Sequence, residues 1–475
     1  MKSLHTLLYV LPLLWFVSCL KLDTQINSEN SNLDIDYNAD RYIYPFGKES
    51  TNITAEVIIK LENQIPSNIR VEVPPLKYNK SLLFMFTQDD CKQVAYCSTW
   101  ASINGKPLTR NYYYNSSQLK YGDLPPDSYY LGNTLGCTDG AGHEVRFAFT
   151  TTLLPQSQLM NAYSQVRPKF TDNYYRFYMN SALIWQNVRE MLNYGVGIAF
   201  HDIEASDVKD PLLIKAAYAI AQDSILAHLS GRGCKFLAEP NGNKAYVAAA
   251  LSYDPIQTIV VQTGTAFYPF KVDTDLKDVL FHREFNNSPY YFKRKIREEA
   301  EKAKENRKAI YVGVHSTDSN WIELLSWLND NYGKEGDDSL WFPSQEEYYE
   351  YNYYRIHGKR TITKIDNNTL KVIVTLPSLQ YFYYPSTTIN LEGLDNNKVI
   401  SILSNDVVTG LSYGKYENGT MINIDCRKFL LQHATHFVEK YEKNKTDPSL
   451  KADAIYFVNM LKESDEKRLL LERLN

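Results

Sequence analysis

The sequence predicts an α/β fold: a distorted (β/α) barrel of about seven strands, with small flanking β domains and a helical C-terminal tail. Three observations carry this reading. From residue 81 to about 335, short apolar runs alternate with helical patterns, as parallel strands joined by right-handed crossovers do. The runs fall at 82–87, 144–152, 196–200, 235–238, 257–262, 267–271 and 309–314, enough to close a barrel rather than form a short open sheet. Four of them end in residues able to bind a metal or move a proton, and strand C-terminal ends are where a β/α barrel carries its site.

The first run lies in Ser81-Leu-Leu-Phe-Met-Phe-Thr-Gln-Asp-Asp-Cys91. Residues 82–86 are apolar throughout, which suits a strand covered on both faces. The run leads straight into Asp89 and Asp90. Adjacent carboxylates raise one another's pKa unless a cation holds them ionised, so the pair reads as a metal ligand beside a general base. The plainer alternative is a solvated turn whose aspartates cap the next helix. Further on, His201 follows Val196-Gly-Ile-Ala-Phe200, Glu239 follows Lys235-Phe-Leu-Ala238, and His315 follows Ala309-Ile-Tyr-Val-Gly-Val314. A lone strand-end histidine is more often structural; four polar strand ends together point to a site.

Helices are expected at 180–194, 211–230, 243–252, 291–306 and 320–331. Asp210-Pro211 supplies a cap and a first-turn proline, and Gly231 closes that helix. Glu298, Glu299 and Glu301 stand against Lys302 and Lys304 on a solvated face of another. Residues 95–175, with Trp100, Tyr112-Tyr-Tyr114, Tyr129-Tyr130 and Asp139-Gly-Ala-Gly142, are expected to insert over the barrel mouth as a substrate flap or a structural hairpin. Ser344 with Glu347 forms a capping box, starting a helix whose tyrosines either pack against the barrel or reach the cleft.

The expected order is a leader at 1–19, a polar tether at 20–40, an N-terminal β segment at 41–80, the barrel at 81–358, a β-sandwich at 359–425 and the helical tail at 426–475. Lys2 and the apolar residues 7–17 make a leader too short to span a bilayer. Phe16-Val-Ser-Cys19 resembles a bacterial lipobox, so a lipid anchor at Cys19 and a cell-envelope location, periplasmic or on the outer-membrane surface, are expected. A net charge of −4 gives no reason to expect nucleic acid. The 37 tyrosines suit sugar clefts and equally a Tyr-rich β protein. Beyond Cys19 the cysteines are Cys91, Cys97, Cys137, Cys234 and Cys426, which leaves a Cys91–Cys97 or Cys97–Cys137 bridge open. His433 and His436 lack a third ligand and read as ordinary helix residues.

Residues 80–335 carry a family resemblance. Thr87-Gln-Asp89-Asp90 is similar to the first motif of the polysaccharide deacetylases, the NodB-homology carbohydrate esterases. Gly195-Val-Gly-Ile-Ala-Phe-His201-Asp-Ile-Glu-Ala205 resembles the second, Phe236-Leu-Ala-Glu-Pro240-Asn-Gly242 the third, and Val314-His315 the last. The resemblance implies a divalent metal, zinc, on Asp90 and His201. It makes Asp89 the base that activates water, His315 the acid that protonates the leaving group, and an acetylated polysaccharide the substrate. Two positions depart from the pattern. The second metal histidine falls at Ala205, so a carboxylate must replace it; Glu204 is assigned there, with Asp202 the other choice. The third motif's arginine falls at Ala238. Two other readings stand beside this one: a non-catalytic glycan-binding lipoprotein on the same fold, and a glycoside hydrolase using Asp89 and Glu239.

Overall fold

In the computed structural model, residues 52–162, 176–177, 181–204, 207–417 and 419–475 are described. The leader, Cys19, the tether and Ala205 lie outside them. No helix among the described residues is long and apolar enough to cross a membrane.

The centre is a nearly closed barrel of parallel strands in chain order: Leu82–Gln88, Thr150–Leu153, Gly197–Phe200, Phe236–Ala238, Thr258–Val261, Leu280–His282, Glu284–Phe285 and Ile310–Val314. The last strand pairs back onto the first, Ile310 beside Phe84 through Val314 beside Gln88. Leu280–His282 pairs with Thr258–Val261, whereas Glu284–Phe285 pairs with Ile310–Val314. These are two halves of one segment, and Arg283 sits at the break where the ring closes.

That segment corrects the strand expected at 267–271. Pro269 has no N–H to give a ladder, and Pro269–Lys271 is a 3-10 turn instead. The run at 144–152 also divides, into a hairpin strand Glu144–Arg146 and the barrel strand Thr150–Leu153. The helices follow the expected order as Trp185–Leu192, Pro211–His228, Lys244–Leu251, Pro289–Ala300 and Ser319–Tyr332. Asp210 caps the second of these, its carboxylate accepting from the Leu212 amide at 2.9 Å.

Strand residues alternate between two cores, as a period of two requires. Leu82, Phe84 and Phe86 pack with Trp321, Leu324 and Leu325 of an outer helix. Leu83, Met85, Phe236 and Val260 join a second core with the tyrosines of Gln345–His357. This helix closes the end where the strands begin. Gln345 donates to Thr150 Oγ1 at 3.2 Å through its amide and to Thr258 Oγ1 at 2.7 Å through its side chain, and Glu346 accepts from the Ile198 amide at 3.0 Å. Tyr348, Tyr349, Tyr351 and Tyr354 are buried there, away from the strand ends that carry the polar residues. Ser344 caps the helix at 3.3 Å, but Glu347 pairs with Lys77 at 2.9 Å rather than completing a capping box.

The N-terminal β segment does not form a layer of its own. Ile53–Leu61 lies between Thr369–Leu376 and Val399–Ser404, and Arg70–Glu72 pairs with Ser386–Glu392. Ala55, Val57, Ile59 and Leu61 share one buried face, and a strand with such a face needs ladder partners and a covering layer, which only the later sandwich supplies. One part of the insertion is placed differently from the expectation. Its hairpin, Gly136–Thr138 with Glu144–Arg146, docks where the barrel strands start: Thr138 donates to Asp338 at 2.8 Å, and Asn423 of the sandwich donates to the Asp139 carbonyl at 2.7 Å. The five described cysteines are free and buried, so neither bridge forms. Burial pushes the thiols of Cys91, Cys97, Cys137 and Cys234 up to about 12.

Two predictions follow from these buried charges. Beneath the barrel, Lys235 bonds to Glu350, which also accepts from the Tyr383 amide at 2.8 Å, and both side chains are fully buried. Lys235→Met leaves that carboxylate unpaired and destabilises the fold by about 3–5 kcal/mol in urea unfolding. In the tail, burial lowers the His433 pKa well below its usual value and that of His436 to about 4, with Lys440 adding to both. The unfolded chain takes up these protons below about pH 6.5 and the folded chain resists them. Stability is therefore full above that pH and declines toward pH 4. Thermal melts at about pH 7.5 and about pH 5 measure the decline, which His433→Gln/His436→Gln reduces.

Candidate active site

The strand Leu82–Gln88 delivers Asp89 and Asp90 to the C-terminal end of the barrel. The Asp89 amide donates to the Val314 carbonyl at 2.7 Å, so the first and last strands hold it together. The next two residues adopt left-handed backbone conformations, Asp90 at φ 62° and Cys91 at φ 52°. Each costs about 1–3 kcal/mol in a non-glycine residue, and such strain persists only where surroundings enforce it. Here the Leu183 amide donates to the Cys91 carbonyl at 2.8 Å, and Thr152 Oγ1 accepts from the Cys91 amide at 3.4 Å. The bend turns Asp90 out of the strand and toward His201. A one-turn π-helix, Ala95–Trp100, follows at once, a rare element often found beside functional sites.

Asp89 is buried and its charge is balanced. Arg283 Nη1 donates to Asp89 Oδ1 at 2.7 Å and to Thr87 Oγ1 at 3.3 Å, and Nη2 donates to the Glu239 carbonyl at 2.8 Å. The guanidinium lies 4.8 Å from the centre of the Phe285 ring. Asp89 Oδ2 is left on the other side, 3.7 Å from His201 Nε2.

His201 is held through its other nitrogen. Nδ1 lies 2.8 Å from the Ala238 carbonyl, which can only accept, so Nδ1 carries a proton and Nε2 is the nitrogen that faces the carboxylates. Nε2 stands 3.8 Å from Asp90 Oδ1, too far for a hydrogen bond. Asp90 Oδ2 faces Lys92 at 3.5 Å, a half-exposed pair of little energetic weight. Asp202 completes the group: one ligand atom each from Asp90, His201 and Asp202 lies within 4.8 Å of the others. Burial raises the Asp202 pKa; the His201 ring counters this, and Asp90 and Asp89 add to it.

The expected site residues divide accordingly. Asp89, Asp90 and His201 converge. Glu204 is exposed and outside the cluster; its backbone is bonded at both N–H and carbonyl by the Tyr246 hydroxyl, at 3.2 and 2.8 Å. Sharing a turn with His201 does not bring the Glu204 carboxylate into the group with Asp90 and Asp202. The Glu239 carboxylate accepts from the Gln262 amide at 2.8 Å and faces Lys244 at 2.8 Å, so Glu239 reaches the centre through its carbonyl alone. His315 is exposed at the end of the strand paired with the one carrying Asp89, its ring 5.5 Å from that of Phe285.

Sequence reasoning missed Arg283. The signal was present in Leu280-Phe-His-Arg-Glu-Phe285, whose alternation puts Phe281, Arg283 and Phe285 on one side. A buried arginine looks like a solvent-facing residue until its carboxylate partner is known. Arg283→Met should destabilise the protein by about 3–5 kcal/mol by leaving Asp89 buried and unpaired, with part of the loss recovered in Arg283→Met/Asp89→Asn. Urea unfolding of the four-member cycle measures that coupling.

A family model described as "Putative polysaccharide deacetylase" matches residues 55–475. No curated protein matches the chain.

Proposed function

The chain belongs to that deacetylase family, and on this premise we propose that it is a metal-dependent hydrolase removing acetyl groups from a polysaccharide at the cell envelope. One observation carries the reading: with Nδ1 donating to the Ala238 carbonyl, His201 turns Nε2 toward two strand-end carboxylates 3.7 and 3.8 Å away. Those gaps exceed a hydrogen bond and suit a cation between the groups. Asp90 and His201 would hold the ion. A divalent cation there polarises the acyl carbonyl and lowers the pKa of water.

The remaining roles fall to the chain's own side chains. Arg283 occupies Asp89 Oδ1, so Oδ2 is the oxygen free to take a proton from attacking water. Water adds to the acetyl carbon as Asp89 accepts that proton. The bond to nitrogen or oxygen then breaks, and His315, exposed at the neighbouring strand end, protonates the departing amine or alcohol. Acetate and a free amine or hydroxyl result. The Glu239 carboxylate, engaged by Gln262 and Lys244, takes no part, which weighs against hydrolysis of the glycosidic bond by an Asp89–Glu239 pair. The leader and Cys19 motif support an extracytoplasmic, lipid-anchored enzyme.

The test is acetate release from N- and O-acetylated oligosaccharides by the protein supplied with divalent metal. Asp89→Asn should lower the rate by about 10²–10⁴ while the fold stays intact by circular dichroism. A variant as active as the parent removes Asp89 from the mechanism.

A further inference from the structure

We infer that Asp202 is the third metal ligand and that the resulting donor set, one imidazole with two carboxylates, narrows the site's preference for zinc over manganese. The inference rests on the metal-dependent reading above and goes beyond it in ligand identity and ion choice.

Four observations converge. His201 is only 3 % exposed, yet Nε2 has no hydrogen-bond partner and points into the cluster. Asp202 Oδ1 is buried and likewise has no donor. Asp89 is committed to Arg283 through Oδ1, which offsets its charge and leaves Asp90 and Asp202 as the carboxylates to balance a dication. Bonds of about 2.1 Å at a tetrahedral ion hold ligand atoms about 3.4 Å apart. The 3.8 Å between His201 Nε2 and Asp90 Oδ1 is within a few tenths of that.

The donor chemistry sets the preference. Imidazole suits zinc, whereas carboxylate oxygens suit manganese and magnesium. Zinc still binds more tightly in absolute terms, by the usual order of divalent affinities. What changes is the margin, which a second imidazole in place of the Asp202 carboxylate should widen.

The experiment uses the full chain, with Mn²⁺ binding read by electron paramagnetic resonance and Zn²⁺ binding by competition against a chromophoric chelator. The parent should bind one Mn²⁺. Asp202→Asn should weaken both ions by about tenfold or more, Glu204→Gln should change neither, and Asp202→His should raise the Zn²⁺-to-Mn²⁺ affinity ratio by about tenfold or more. Circular dichroism checks that each variant is folded. Parent-like binding by Asp202→Asn, or an unchanged ratio in Asp202→His, overturns this inference while leaving the deacetylase reading standing, provided Asp90→Asn still loses metal. A parent chain that binds neither ion overturns both.

Discussion

The ion pair between Arg283 and Asp89 is the constraint on which the rest of the centre depends. A carboxylate at the end of an apolar strand is expensive to bury without a counter-charge. The guanidinium supplies it at 2.7 Å and bonds at the same time to the Glu239 carbonyl and to Thr87, so one side chain ties together three barrel strands. Arg283 stands where the segment leaves Thr258–Val261 and joins Ile310–Val314. Ring closure and charge balance therefore meet in one residue. The side of Asp89 facing His201 is left open because the other side is taken.

The two ends of the barrel use charge differently. Where the strands begin, Lys235, Arg232, Glu346 and Glu350 are buried and mutually paired, and Glu350 is further saturated by backbone amides. Such a set resists rearrangement, because moving any member strands another in low dielectric. Where the strands finish, the contacts are looser: His201 Nε2 stands 3.7 and 3.8 Å from Asp89 and Asp90, and Asp202 Oδ1 has no donor. The helix Gln345–His357 contributes to the difference, since its tyrosines fill the first end.

Much of the fold was legible because local signals agreed with the tertiary arrangement. The fully apolar residues 82–86, the Asp210-Pro211 cap and the strand-end polar residues all pointed to one topology, and Asp89, Asp90 and His201 converge as their strand-end positions required. The failures had physical causes. Leu280-Phe-His-Arg-Glu-Phe285 hides a barrel strand because its buried polar residue is neutralised by a partner 194 positions away. Pro269 lies in a run whose apolar composition outweighed its missing N–H. Glu204 and Asp202 are separated by only a turn, and choosing between them needs the backbone path, which the Tyr246 hydroxyl fixes. The hairpin at 136–146 looked like a flap because nothing local reveals that Asn423 and Asp338 await it at the far end.

The position of Ile53–Leu61 bears on how the chain reaches its native state. This early strand is an inner member of its sheet, and both neighbours are made after the barrel: Glu56 is bonded to Asn405 across 349 residues of chain. During synthesis it waits with both ladders unmade while the barrel assembles between its partners. Pairings of such long range raise contact order and slow folding, and an unpaired apolar strand is an adhesive edge in the interim. The closing of that sheet therefore comes after all the barrel strands have been made, because it needs Val399–Ser404.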